Sequence, residues 1–586
     1  MPEEKTTLLE TPALCSVQID NKQVKYDISS VALHQYVDNH HVLQVRIRQV
    51  GKATSSKDFD DPTEYANFLG KSIALNIKPG GGMVDASREL EFIGIVTRVS
   101  LDNSIDGLNT VLITGHSPTI ALDGPRHNAF FNELTATDII GSVVRKYPIT
   151  MGTQEATRGT LKFCVQYNET DYDFIMRLAG SYGKFAFYNG KEFQVAKASG
   201  SNTEDLTWRE TLGSFSLGLG TQSAEFESSL YSYEQNKDYS QDTSSMSSST
   251  ALANLYKISP DASKKIYTSS GFSNQPRLVS DAQSLDEHLK NEKSGAIGKM
   301  IICAGQSIVP KIVPGNCVKV RGMDKFDGTY YVTSVRHQFN ESGKYQNTFE
   351  CIPLDTAFPS VRKLPPSLTD IQSAIVTDNN DPEKMGRIKV KFPWLPSDET
   401  PWIRFLTPHA GADRGWYCLP EIDDEVLVGF ERGHPDLPVA LGSLYHKDDA
   451  PHSDTNNDKN DIKMFLTRGG NRIYFKDESG SEQLIIAMKD GKNSITMDLS
   501  GSPKITIEST DGDITLKAKN ITLESTDKVE IKADKDVIAK AGGNMELEGT
   551  AGLKAKASGP AEMEGATLNL KGQSQVAVKG AIIQLN

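Results

Sequence analysis

From Gly501 to Asn586 the sequence contains no Phe, Tyr, Trp, Cys, His or Arg. Aromatic rings supply much of the buried area of a compact domain, so these 86 residues cannot be an ordinary globular core. Cysteine is sparse: Cys15, Cys164, Cys303, Cys317, Cys351 and Cys418 stand far apart, with no CxxC pair. That spacing argues against a zinc site or a disulfide framework and predicts buried free thiols. No window holds the roughly eighteen uninterrupted apolar residues that a membrane-spanning helix needs. The opening MPEEKTTLLETPALC lacks a basic stretch followed by an apolar one, so synthesis in the cytoplasm without a signal peptide is expected. Basic residues are in deficit, Lys+Arg 63 against Asp+Glu 76, for a net charge of −13. A surface of that sign repels phosphate backbones and anionic headgroups, so no nucleic-acid partner is expected. What remains is a chain of 586 residues, 38% apolar, long enough for about three to five small cores.

Up to about Arg362 the pattern is mixed: mainly β, with some α. Alternating runs predict strands at Ile73–Ile77, Phe92–Val99, Thr110–Thr114, Lys184–Tyr188, Val318–Val320 and Thr329–Val335. Helices are predicted over Asp138–Tyr147, capped by Thr135 or Thr137, over Asp171–Ala179, capped by Thr170, and around Ser284–Ser294. The Ser/Asp/Gln-rich stretch Tyr239–Ser249 is expected to be a loop. Lys363-Leu-Pro-Pro-Ser367 is an extended boundary of the proline-stiffened kind. Short strands at Ile388–Phe392, Trp402–Leu406, Glu425–Phe430 and Val439–Gly442 then suggest a small barrel of the OB type. His446–Asp458 is too polar to form a core.

The aromatic-free tail is periodic. Apolar pairs separated by one residue recur from Ile505/Ile507 to Ile583/Leu585, eleven in all, at spacings of seven to nine residues. A small residue follows two positions after each of the first ten pairs, at Ser509, Ala518, Ser525, Ala533, Ala541, Gly549, Ala557, Gly565, Gly572 and Gly580. Each octad is expected to form one short strand with two inward residues and a tight corner. Two modest side chains per strand cannot enclose a core alone. Three chains wound together place six in each layer and close a narrow, dry axis that excludes rings. At one inter-strand spacing of about 4.8 Å per octad, the eleven strands give a rod of roughly 50 Å. The last strand, at Leu585-Asn586, is expected to leave an open edge for a capping partner.

With these features in hand, the sequence resembles the VgrG spike proteins of type VI secretion systems and the fused hub–spike proteins of phage-derived contractile injection systems. In the first part the resemblance rests on Val165-Gln-Tyr-Asn-Glu-Thr-Asp-Tyr-Asp-Phe-Ile-Met-Arg-Leu178, Val313-Pro-Gly-Asn-Cys-Val318, Phe326-Asp-Gly-Thr-Tyr-Tyr-Val332 and Val335-Arg-His337. In the barrel it rests on Gly386-Arg-Ile-Lys-Val-Lys-Phe-Pro-Trp394, Trp402-Ile-Arg404, Pro420-Glu-Ile-Asp-Asp-Glu-Val-Leu-Val428 and Gly433-His-Pro-Asp-Leu-Pro438, with Asn471-Arg-Ile-Tyr-Phe475 at the needle base. It implies a gp27-like double-barrel hub over 1–362, an OB-fold barrel over 363–446, a polar linker over 447–462, and a needle base with an intertwined trimeric β-helix over 463–586. It further implies a homotrimer that caps an inner tube of Hcp-like protein, adapts three-fold to six-fold symmetry among baseplate proteins, and punctures a target envelope. A PAAR-like tip protein and effector cargo are the other partners it implies, with delivery outside the cell. The lysozyme domain that the T4 spike carries between barrel and needle has no counterpart here, and no effector domain is expected after the needle. Glu421-Ile-Asp423 stands where the family often has Arg-Ile-Gly, so no contact is carried over there.

Enzyme signals fail on inspection, and no catalytic, cofactor or metal site is expected. Gly70-Lys71-Ser72 lacks the upstream glycine of a phosphate loop, since Tyr65 stands there. Gly115-His116-Ser117 lacks the second glycine of a nucleophile elbow, being followed by Thr119. Asp454, Asn456 and Asp458 begin like a calcium loop, but Lys459 replaces the turn glycine and Phe465 the final glutamate. His40-His41 lacks zinc-type partners, and Glu530, Glu546 and Glu562 fall between inward residues and so face solvent. The competing reading is a trimeric tail spike that degrades polysaccharide. Its long-sided helices and aromatic sugar platforms have no counterpart in these short octads.

Overall fold

The computed structural model describes residues 10–24, 27–48, 62–80, 82, 84–102, 110–244, 254–272, 279, 281–359, 370–395 and 398–585. The expected boundary at Lys363–Ser367 lies outside them, as do residues 245–249 of the expected loop. The chain divides into two compact units, Met1–Pro451 and His452–Asn586.

In the first unit, pairing runs from Thr11–Ile19 through Ser72–Pro79, Leu90–Asp102, Thr110–His116 and Val42–Arg48 to Asp27–Tyr36. Alternation such as Val42-Leu-Gln-Val-Arg-Ile-Arg48 turns every second side chain inward, where Val17, Leu33, Val45, Ile73, Phe92 and Ile113 pack together. A long hairpin, Gly328–Asn340 and Lys344–Pro353, closes the ring by taking Asp27–Tyr36 on one flank and Thr11–Ile19 on the other. Eight strands therefore form one barrel. The other half of the same hairpin pairs with Cys317–Arg321 and Ile301–Ser307. Thr203–Thr207 and Leu212–Leu219 complete a second ring of six through a Trp208–Leu212 bridge. Its separate core holds Leu206, Cys303, Val318, Tyr330, Phe349 and Cys351. Gly305 is needed there, because a Cβ would lie 2.5 Å from the Phe349 ring.

A buried polar chain links the two barrels. Asn347 donates to the Val309 carbonyl (2.8 Å) and to the Tyr345 hydroxyl (2.9 Å), which donates to His337 Nδ1 (2.6 Å). His337 Nε2 donates to Gln35 Oε1 (3.0 Å), the Gln35 amide to His41 Nδ1 (3.2 Å), and His41 Nε2 to the Tyr36 carbonyl (3.1 Å). Each donor finds an acceptor only if both imidazoles are neutral. Burial favours that state and holds both pKa values down at about 3.

Between the strands of the two rings in chain order, the hairpin of His127–Leu134 and Leu161–Glu169 carries two helices on its flank. Helix Ala136–Val144 is capped by Thr135, and helix Asp171–Ser181 by Thr170, whose oxygens accept from the third-residue amides Asp138 and Asp173. The helix expected around Ser284–Ser294 runs over Ala282–Gly298, with Asp281 and Ser284 forming a capping box. The expected loop at Tyr239–Ser249 is in part a strand: Lys237–Asp242 pairs with Phe226–Ser232. Its Ser and Asp content misled because one face of that hairpin is covered by Leu285 and Leu289 of the helix.

A closed five-stranded barrel follows, built from Gln372–Asp378, Arg387–Lys391, Ile403–Phe405, Glu425–Phe430 and Pro438–Ser443. Its core packs Val376, Ile388, Val390, Phe392, Val426 and Val428, and Phe130 of the hub hairpin packs against it. Two polar contacts fix that joint: Val165 N donates to Asp436 Oδ1 (2.5 Å) and Gln372 to the Tyr167 hydroxyl (2.7 Å), while Trp394 within the barrel holds Gln372 by donating to it (2.6 Å).

The second unit begins as a five-stranded antiparallel meander: Ile462–Leu466, Arg472–Lys476, Gln483–Ala487, Asn493–Asp498 and Lys504–Ser509. The register stacks Phe465, Ile473, Ile486, Ile495 and Ile507 in one row across all five strands. The pair Ile505/Ile507 therefore belongs to the meander, and octads without such pairing begin at Ile514. After the meander, described residues 511–585 form no helix, no strand and no backbone-to-backbone hydrogen bond with one another.

Candidate functional site

The enzyme-like motifs are absorbed by the fold. Gly70 sits in a left-handed turn (φ +76°) before a strand, and Lys71 reaches Asp20 at 3.5 Å. Ser117 is buried, accepts from the His41 amide at 3.0 Å and shares a hydrogen bond with Thr119 at 2.7 Å. His40 lies 2.9 Å from the Thr119 hydroxyl, so both histidines of the pair are core residues. Asp454 lies in an exposed segment, 3.6 Å from His452. Among the described residues, no three His, Cys, Asp or Glu side chains gather as metal ligands would.

The region that calls for a partner is the tail. Bends recur at 519, 526–527, 534–535, 542–543, 550–551, 558–559, 566, 573–574 and 581–582. Each follows directly on one of the small residues, from Ala518 to Gly580. The corner thus lies one step beyond the small side chain and not on it. Two of the glycines differ. A Cβ on Gly572 would lie 2.5 Å from the Gln575 carbonyl oxygen, whereas Gly565 has nothing closer than 3.7 Å. Gly572 is required by space; Gly565 is not.

The inward residues have nothing to pack on within one chain. From Ile514 to Leu585 the large apolar side chains are between 50% and 92% exposed. Burying a Val, Leu or Ile is worth about 1.5–3 kcal/mol, so a rod this exposed cannot hold its shape alone. The backbone makes the same demand, since N–H and C=O groups in a folded rod need partners. Between Val529 and Ile531, Glu530 accepts from Lys528 and Lys532, each at 2.5 Å, and these lysines hold its carboxyl below the usual range. Two features escaped the sequence reading. One is the apolar row of the meander, visible in part at Asn471–Phe475 but completed only by strand register. The other is the Val165–Asp436 joint, whose members are far apart in sequence.

Comparison with known proteins agrees with this architecture. Residues 372–445 match the type VI secretion system/phage-baseplate injector OB domain. Residues 13–341, more than half of the chain, match the Alg8 N-terminal domain family. The type VI secretion system spike protein VgrG1a of Pseudomonas aeruginosa is 22% identical over 73% of this chain and 71% of its own length. VgrG4b of the same organism is 22% identical over 65% of this chain, which spans only 53% of that relative. In fold alone, a chain of the half-lidded Francisella PdpA–VgrG complex is similar, with a TM-score of 0.55, 9% identity and coverage of 86% of this chain and 89% of that one. The chain belongs to the Alg8 N-terminal domain family and, with its injector OB barrel, is a VgrG-like spike.

Proposed function

We propose that this protein is the structural central spike of a contractile injection system and works as a homotrimer. The observation that carries the proposal is the tail, whose inward side chains and backbone groups lack partners in a single chain. Three copies supply them. The hub brings two fused barrels per chain, so a trimer presents six barrels to a six-fold tube of Hcp-like protein; the rings of eight and six strands are related but not identical. The OB barrel is pinned to the hub through Asp436 and Gln372, so load on the hub is carried by the barrel as well. The work of penetration comes from sheath contraction, and this chain contributes rigidity and a narrow point without catalysis. Baseplate proteins hold the hub, a PAAR-like protein caps the tip, cargo rides with it, and the particle carries it out of the cell to a target envelope.

Light scattering after size exclusion tests the trimer. A mass near three times 64.2 kDa is expected, and a stable species of 64.2 kDa would overturn the reading.

A further inference from the structure

We propose that the outward charges of the octads fix the register in which three copies of this chain wind together. The surface they form fits the neighbouring copy of the same chain. This rests on the trimeric reading above. The residue directly after each of the first ten apolar pairs, from Glu508 to Lys579, is charged without exception and reads Glu, Lys, Glu, Lys, Lys, Glu, Lys, Glu, Lys, Lys. Seven of the nine successive steps change sign. In three adjacent octads the residue inside the pair carries the same charge as the one after it: Glu546 with Glu548, Lys554 with Lys556, Glu562 with Glu564. All six are exposed, and strand alternation in the wound trimer turns them away from the apolar pairs.

A corner follows every octad, so consecutive octads of one chain occupy different sides of the rod. Three-fold winding then sets each octad above the preceding octad of a neighbouring chain, about 4.8 Å away. Lys554 and Lys556 of one copy come to lie between Glu546 and Glu548 of one neighbour and Glu562 and Glu564 of the other. A slip by one octad destroys this arrangement. In one direction every charge meets its own equivalent; in the other, five of eight steps bring like charges together. The apolar pairs cannot discriminate, because every octad offers much the same two inward residues. Charge alternation is the feature that distinguishes one offset from the next.

The test uses full-length chains. One variant, Lys554→Glu with Lys556→Glu, makes three successive layers acidic. A second, with Glu546, Glu548, Glu562 and Glu564 each changed to Lys, makes them basic. Co-refolded in equal amounts, random assembly gives about three quarters mixed trimers by native mass spectrometry; preferential pairing is expected to raise this above about nine tenths. Mixed trimers at the random proportion would overturn the proposal. If neither charged variant folds, Lys554→Gln with Lys556→Gln serves instead. It should trimerise, and its melting temperature should lose the fall with added NaCl expected of the unaltered protein; an unchanged salt response would likewise overturn it. An unaltered protein that is monomeric would sink the trimer itself, whereas a trimer that mixes at random sinks only the register.

Discussion

The hub barrels and the tail after the meander both carry alternating apolar residues, yet they meet the problem of free edges in opposite ways. The hub brings Thr11 against Tyr345 and closes its rings within one chain, so Val17, Ile73 and Phe92 are buried without help. The needle repeats a unit too short to fold back on itself, so Leu523 and Leu547 remain 70% and 66% exposed. Closure needs either sequence length or copies. A segment that spends eight residues per layer on a narrow rod has no length left for closure and must use copies.

The sharpest way to break this contrast is a charge on the needle axis. Ile521→Asp places three carboxylates in one dry layer, at a cost of about 3 kcal/mol or more per chain. Light scattering should show the trimer lost, while circular dichroism still reports a folded hub. Acid should act in the reverse sense, on the hub alone. His41 and His337 have pKa values lowered to about 3, while the unfolded chain protonates histidine near 6.5. Above that pH both states are neutral and nothing changes; as pH falls from about 6.5 towards 3 the unfolded state binds protons that the hub refuses. By pH 5 this removes about 2 kcal/mol per histidine, or about 4 for the pair. The needle from Gly501 onward has no histidine. Hydrogen exchange at pH 5 should therefore show the hub loosening first, and equal loosening of both regions would contradict the account.

Within the needle, Gly572→Val is expected to cost about 2 kcal/mol per chain, because its Cβ has no room beside the Gln575 carbonyl. Gly565→Val should be close to neutral by comparison; equal melting of the two variants would show that the corners are misplaced. An effect smaller than that of Gly572→Val belongs to the hub. Thr170→Ala removes the bond to the Asp173 amide and should lower hub stability by about 1 kcal/mol in urea unfolding, with the trimer mass unchanged.

What could be read from the sequence follows from how local each signal is. The helix caps at Thr135 and Thr170 lie within three residues of the amides they bind; Thr170 was legible outright, and Thr135 as one of two candidates beside Thr137. The octads were legible because a period repeats whatever surrounds it. The strand Gln372–Asp378 was not expected, since a half-buried run resembles many loops until it pairs with Arg387–Lys391 and Glu425–Phe430. Arg177 sits on a helix whose spacing looks apolar, yet it is buried and paired with Glu169 at 3.0 Å. The candidate site shows the same division: its repeating apolar pairs were identified by pattern, while the meander row depended on register.

The sequence by itself determined what is regular in the tail: its period, its lack of rings and the alternation of its charges. Each is a relation among residues no more than about one octad apart. Only the tertiary structure decided the hub. That one hairpin serves two barrels, that His337 joins Gln35 to Tyr345, and that Asp436 holds Val165 are contacts between residues distant in the chain. Such pairings are selected by closure of the whole sheet and burial of both cores together, so no local stretch carries them.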